Sequence, residues 1–278
     1  MTAYVRPADL AEATRVLADH PAWMILAGGT DLMVHAQHQP VPVGILDLWR
    51  LPGLGGIDAR QRDDRSWLRL GAGTTWREVI ADARVQHALP NLVAAAREIG
   101  ALQIQARGTI GGNLGTSSPV GDSLPVWLAL GAEIELRSVH GTRTVPYADY
   151  CTGYRKTARG VEELITAVWA PVPATGTRLH WRKVGTRKAQ SISKVMAAAA
   201  LALDGDTITA ARIGLGAVAD RPIRATAIEA ALVGRRLGDD AIAAARAALA
   251  IAPITDVRST AAYRHDVAAN LIARFVAA

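Results

Sequence analysis

Apolar residues recur along the chain with two periods, and the switches between them outline its organisation. Leu10, Ala13 and Leu17 share one helical face, Asp9 and Glu12 have the spacing of a capping pair, and Pro21 ends the run. This predicts a helix from about Ala8 to Ala18. Trp23–Ala27 reads as a short buried strand running directly into Gly28-Gly29. Thr30 or Asp31 then caps a short helix through Leu32, Met33 and Val34, and Gly44–Leu48 is a further strand. The result is a small βαβ-type lobe. Asp58–Asp64 is polar and charged and reads as a connector between lobes.

Trp67–Ala72 alternates like a half-buried strand, Thr74 or Thr75 caps a helix through Trp76, Val79 and Ile80, and a second helix runs from about Asn91 to Ile99. A helix near Leu124–Leu130 and strands at Ala132–Leu136, Thr144–Pro146 and Glu163–Val168 follow. Pro171–Gly176 carries the strongest linker chemistry. Beyond it, Leu179–Val184, Lys194–Leu203 and Ile208–Ala217 predict three strands, the last two joined at Asp204-Gly205-Asp206. Alanine-rich helices near Ala225–Val233, Asp239–Ala250 and Tyr263–Ala277 complete a separate α+β domain.

Half of the 278 residues are hydrophobic and 20% are charged, a globular composition long enough for two or three modest cores. No apolar run is long enough for a transmembrane helix, and Met1–Pro7 has no apolar signal core, so a cytoplasmic location is expected. Cys151 is the only cysteine, which excludes an internal disulfide, an iron–sulfur cluster ligated by this chain and a cysteine-rich zinc site. The net charge of +6 invites a nucleic-acid reading, but the arginines are scattered, without a long block and with little aromatic interleaving. A solvated surface, or one facing an acidic partner protein, accounts for them better.

The chemistry concentrates in two glycine-rich stretches. One is Leu26-Ala27-Gly28-Gly29-Thr30-Asp31-Leu32. The other runs from Gly108 to Pro125 and reads as a loop between a helical approach and the apolar run Val126–Leu130. Glycines permit positive φ and close approach of backbone to a ligand. Successive N–H groups in such loops make an anion-binding concavity, and a following helix N-terminus adds to it. Two such stretches point to one extended, phosphate-containing ligand held by main chain; plain turn geometry is the other reading of each. Neither fits G-x-G-x-x-G or a P-loop. The seven histidines are scattered, with His35 and His38 reading as a surface pair, and no Gly-x-Ser-x-Gly elbow is present. Glu162-Glu163 and Asp239-Asp240 sit at turns or helix starts. A chain that borrows its reactivity from a cofactor fits these absences.

Ala27-Gly28-Gly29-Thr30-Asp31-Leu32, Thr109-Ile110-Gly111-Gly112-Asn113 and Ser118-Pro119-Val120-Gly121-Asp122 together resemble the FAD-binding medium subunit of molybdenum hydroxylases. That family includes xanthine dehydrogenases, aerobic carbon monoxide dehydrogenases, and aldehyde or N-heteroaromatic dehydrogenases. The resemblance continues through Gly153-Tyr154-Arg155-Lys156-Thr157, Lys183–Arg187 and Asp256–Arg264, nearly the whole chain in order. It implies an α+β architecture: a two-lobed FAD domain of the vanillyl-alcohol-oxidase or p-cresol-methylhydroxylase type (lobes 1–57 and 58–172) and a C-terminal three-stranded sheet with helices (177–278). It also implies that Ile25, Leu26, Ala27, Gly28, Gly29, Thr30, Asp31 and Leu32 cradle the FAD pyrophosphate. Thr109, Ile110, Gly111, Gly112 and Asn113 would line the flavin and phosphate region, with Gly115 and Thr116 nearby. Asp122 would hold a ribose hydroxyl, Leu164 would touch the adenine end, Lys183 would lie near the flavin's polar edge, and Ile192 would cover one flavin face.

The resemblance further implies an electron-transfer subunit without a catalytic acid, base, nucleophile or metal of its own. A large molybdopterin subunit and a small subunit with two [2Fe–2S] clusters would be its partners, and NAD⁺, oxygen or a quinone the acceptor. Ser118–Ser123 looks xanthine-dehydrogenase-like; a carbon monoxide dehydrogenase medium subunit or a self-sufficient flavin oxidase are the alternatives. Read without the family, Asp122 caps the helix starting at Ser123, Lys183 is a solvated charge, Ile192 is a core residue, and Tyr154 and Trp181 are packing aromatics.

Overall fold

The computed structural model describes residues 2–35, 38, 40–187 and 190–277, apart from the His35 side chain. The His35–His38 pair therefore lies partly outside the described residues. The chain opens with β1 (Ala3–Val5), α1 (Leu10–Asp19), β2 (Met24–Leu26), α2 (Leu32–His35) and β3 (Gly44–Asp47), with a parallel sheet in the order β1-β3-β2. Asp9 caps α1 by accepting from the Glu12 N–H, and the Glu12 carboxylate accepts from the Ala8 N–H. Ala13 and Leu17 pack with Leu46, Leu48, Leu51 and Leu54 in a core that Ala72 and Leu164 also join.

A hairpin of β4 (Ile57–Arg62) and β5 (Arg65–Gly71) follows. The predicted connector at Asp58–Asp64 is thus mostly an edge strand. Ile57 is its one buried residue, so no alternation was visible, and the turn places Asp63 and Asp64 at φ 50° and 58° without a glycine. Helices α3 (Trp76–Ala81), α4 (Ala83–Ala88), α5 (Pro90–Glu98), α6 (Leu102–Arg107), α7 (Ile110–Thr116) and α8 (Leu124–Leu130) follow. Thr75 and Glu78 close a reciprocal capping box on α3. Then come β6 (Glu133–Ser138), β7 (Gly141–Pro146), α9 (Tyr147–Tyr150), the small hairpin β8 (Cys151–Gly153) and β9 (Lys156–Thr157), and β10 (Leu164–Pro171). The five-stranded antiparallel sheet has the order β4-β5-β10-β6-β7. Helices α3, α5 and α8 supply Trp76, Leu92 and Trp127 to one core against it.

The stretch read as a loop from Gly108 to Pro125 contains a helix, α7. Thr109 caps it by accepting from the Gly112 N–H at 3.1 Å. None of its glycines takes positive φ, and Gly111 serves close packing: a Cβ there would lie 2.7 Å from the Ala72 Cβ.

The C-terminal part has β11 (Arg178–Val184), β12 (Val195–Asp204), β13 (Thr207–Gly216), β14 (Ile223–Arg224), α10 (Thr226–Leu232), α11 (Asp239–Ala247) and α12 (Ala261–Val276). Its antiparallel sheet, β11-β12-β13-β14, has four strands rather than the three expected. The fourth is two residues long and carries no pattern of its own. β12 is nearly all apolar because both its faces are covered: Ala197, Ala199 and Leu201 meet the C-terminal helices, while Ala198 joins the core that Trp76 and Trp127 form against the five-stranded sheet. α8 lies so close to this sheet that a Cβ on Gly214 would sit 2.1 Å from the Pro125 carbonyl oxygen.

Candidate functional site

A cavity of about 550 Å³ is lined both by residues near the three-stranded sheet, such as Ile25 and Gly28, and by residues packed on the five-stranded one, such as Asn113 and Leu164. That volume is typical of small-molecule and cofactor sites. One wall is the loop that leaves β2. Among the described residues no hydrogen bond within the chain takes up the N–H groups of Gly28, Gly29, Thr30 and Asp31. Four consecutive unspent donors on a cavity wall form a nest for an anion. The loop is pressed against the end of α6: a Cβ on Gly28 would meet the Arg107 carbonyl oxygen at 1.9 Å, and Gly29 takes φ +76°. Only glycine satisfies both requirements.

The opposite wall is α7. Here the first N–H groups are spent inside the protein: Ile110 donates to Thr74, Gly111 to Ala72, Gly112 to the Thr109 hydroxyl and Asn113 to the Thr109 carbonyl. Of the two glycine-rich stretches, only the first offers a main-chain nest; the second offers a wall of small residues. Asn113 is held in place by Ser123, whose hydroxyl donates to its Oδ1 at 2.7 Å.

The Asp31 carboxylate turns across the cavity mouth, where it accepts from the Thr116 hydroxyl at 3.3 Å and faces the Arg155 guanidinium at 3.5 Å. At the other end, Asp122 neither caps α8 nor stands in solvent. Its carboxylate accepts from Lys183 Nζ at 2.8 Å and from the Ser193 hydroxyl at 2.7 Å, while its carbonyl accepts from the Trp181 indole at 3.1 Å. Burial pushes the Asp122 carboxyl up, and the Lys183 charge and the hydrogen bonds from Lys183 and Ser193 oppose that rise. Lys183, with 4% of its side chain exposed, is a buried ion-pair partner and not the solvated charge of the family-free reading.

The structure thus gathers almost every residue proposed from the sequence. Ile25 to Leu32, Thr109, Gly111, Gly112, Asn113, Gly115, Thr116, Asp122 and Leu164 all line the cavity. Three do not. Ile110 is fully buried in the core, and Lys183 reaches the cavity only through Asp122. Ile192 is 49% exposed and off the cavity wall, so it is not the core residue of the family-free reading either. Trp181 holds the Asp122 carbonyl, while Tyr154 is exposed. Arg155 and Arg159 were not singled out, yet both line the cavity; Arg159 is occupied with the carbonyls of Gly160 and Glu163. The motif around Tyr154 was the only sequence signal for them. Cys151 is buried elsewhere, its thiol between the hydroxyls of Ser117 and Tyr147. Among the described residues no group of His, Cys, Asp or Glu is placed to hold a metal, and no helix is long and apolar enough to cross a membrane.

Comparison with known proteins agrees with this geometry. Residues 1–173 match the FAD binding domain in molybdopterin dehydrogenase, and residues 181–278 the CO dehydrogenase flavoprotein C-terminal domain. The glyceraldehyde dehydrogenase medium chain of Sulfolobus acidocaldarius is 31% identical over 267 residues, covering 95% of this chain and 93% of that one. The xanthine dehydrogenase FAD-binding subunit of Escherichia coli O157:H7 is 35% identical over 223 residues, 80% of this chain and 75% of that one. The structure of carbon monoxide dehydrogenase from Hydrogenophaga pseudoflava superposes with a TM-score of 0.92 at 30% identity, covering 98% of this chain and 95% of that one. With its mixed α/β fold and FAD-binding domain, the chain belongs to the FAD-binding medium subunits of the molybdenum hydroxylases, a family of oxidoreductases.

Proposed function

We propose that this chain holds one FAD between its two N-terminal lobes. It would relay electrons from [2Fe–2S] clusters of a small partner subunit, reduced by a large molybdopterin subunit, to NAD⁺ or another acceptor in the cytoplasm. The observation that carries the reading is the run of unspent N–H groups at Gly28–Asp31 on the wall of the cavity. A pyrophosphate needs such donors, and a Cβ at Gly28 would remove the space the loop occupies. FAD supplies the exchange of one or two electrons. The chain supplies position: a main-chain nest, a flat α7 wall at Gly111, Gly112 and Gly115, and the Asp122 carboxylate for a ribose hydroxyl.

The three-, five- and four-stranded sheets, each in its own stretch, support a division into lobes 1–57 and 58–172 and a C-terminal domain 177–278, with the first boundary at the start of β4. Two α+β lobes around one cavity support the vanillyl-alcohol-oxidase or p-cresol-methylhydroxylase type. For the assembly, the Ser118–Ser123 segment favours a xanthine-dehydrogenase-like complex. A carbon monoxide dehydrogenase medium subunit is the second reading, favoured by the superposition over 98% of the chain.

The test is affinity purification of the tagged chain from its native cell, with metal analysis of what accompanies it. Molybdenum and iron in the complex, with flavin that is reduced by substrate only while the partners are present, is the expected result. A solitary chain that reduces its flavin with a small organic substrate would replace this reading with that of a flavin oxidase.

A further inference from the structure

Three arginines converge on one indole, that of Trp49. Arg6 follows β1, Trp49 and Arg50 follow β3, and Arg107 ends α6. The Arg107 guanidinium stacks 3.8 Å from the centre of the Trp49 indole, Arg50 lies 5.7 Å from the same centre, and Arg6 Nη2 donates to the Trp49 carbonyl at 3.2 Å. All three arginines are exposed, and among the described residues none of them has a carboxylate partner. Asp47, the acid at the end of β3, is buried, and its oxygens are taken by the Tyr4 hydroxyl and the Trp49 N–H. Arg50 moreover holds φ 58°, a backbone conformation that non-glycine residues adopt at a cost. Leu102, on the same short helix as Arg107, is 78% exposed.

We infer that Arg6, Trp49, Arg50 and Arg107 form a docking surface for an acidic segment of a partner protein. Carboxylates would pair with the three guanidinium groups. Arginine clustered with tryptophan is the composition of a protein interface. The guanidinium fork suits carboxylates in two-point contact. A nucleic acid needs positive charge spread along its phosphate track, whereas this charge converges on one indole. None of the four residues lines the cavity, although the Arg107 carbonyl backs the Gly28 loop.

The test uses the full chain and a fluorescently labelled peptide of ten glutamates, followed by anisotropy at low salt. The variant Arg50→Gln/Arg107→Gln should weaken binding about tenfold or more. Arg178→Gln/Arg182→Gln, which removes the same charge from exposed positions on β11, should change it less than about twofold. The Arg6→Gln/Arg50→Gln pair leaves the Arg107 stack intact and gives the same reading if the first variant fails to fold. Three results would overturn the inference: no binding by the parent chain, equal loss in patch and control variants, or an oligothymidylate that binds as tightly as the peptide and loses affinity in the same variants.

Discussion

The two ends of the cavity are built from different materials. At Gly28–Asp31 the protein presents a run of backbone donors. At Asp122 it presents a carboxylate locked to Lys183 and Ser193 of the C-terminal part. The first end fails when an atom is added, because the loop already touches the Arg107 carbonyl. The second fails when an atom is removed, because each buried polar group depends on its partner. A binding site can therefore be fragile in opposite ways at its two ends, and substitution should separate them.

The largest effect is expected for Gly28→Ala. Its Cβ would sit 1.9 Å from a main-chain oxygen, so the loop must move and the nest with it. A displacement costing about 3 kcal/mol corresponds to a loss of roughly 100-fold in FAD affinity, measurable by flavin titration of the purified variant. Near-parental affinity would show that the loop is not the cradle.

Next in size is Asp122→Ala, which leaves Lys183 buried without its anion. It should lower unfolding free energy by about 3 kcal/mol, read from denaturant melts. Adding Lys183→Met should recover much of that loss. Equal instability of the single and double variants would mean that the ion pair is not what Asp122 contributes.

A third side-chain device sharpens the contrast through pH. Arg264 donates to the carbonyls of Lys194 and Ala217 and to Asp256 at 2.8 Å, pinning the entry to α12 to the sheet. Desolvation pushes the Asp256 carboxyl up, but the Arg258 N–H and the Arg264 guanidinium outweigh it and bring the group down to about 2. A depressed carboxylate stabilises the fold above its unfolded value and ceases to do so as pH falls through the folded one. The stability difference between the parent and Asp256→Asn should therefore be full at neutral pH and shrink from about pH 4 towards 2. A difference independent of pH would assign the loss to packing. The main-chain nest has no titratable group and should show no such dependence.

The smallest effect is expected for Asp31→Asn. Its contacts with Thr116 and Arg155 are long and its side chain is 46% exposed, so stability should change by less than about 1 kcal/mol. Removing a negative charge beside the nest should tighten FAD binding a few-fold in low salt, an effect that added salt should erase. Weaker binding would instead make the Asp31 carboxylate part of the cradle.

The sequence was most legible where local chemistry and tertiary packing agree. The α1 capping pair could be read from spacing, a threonine cap on α3 from Thr74-Thr75, and the three long C-terminal strands from their apolar runs. The β4 edge strand was hidden because it buries only Ile57 and turns without glycine. α7 was hidden because its glycines, normally helix breakers, are there to let it approach Ala72. In the site, the glycines and Asp122 were visible as residues, but their division of labour was not. That Lys183 serves Asp122, and that α7 spends its own N–H groups, depend on partners far away in the chain.

The central claim is that the Gly28–Asp31 nest holds the pyrophosphate of one FAD. Its most direct test is equilibrium titration of flavin-stripped protein with FAD and, separately, with riboflavin, which lacks phosphate. The account predicts one FAD per chain and binding of riboflavin weaker by about 100-fold or more. Failure to take up FAD, or equal affinity for the two flavins, would contradict it.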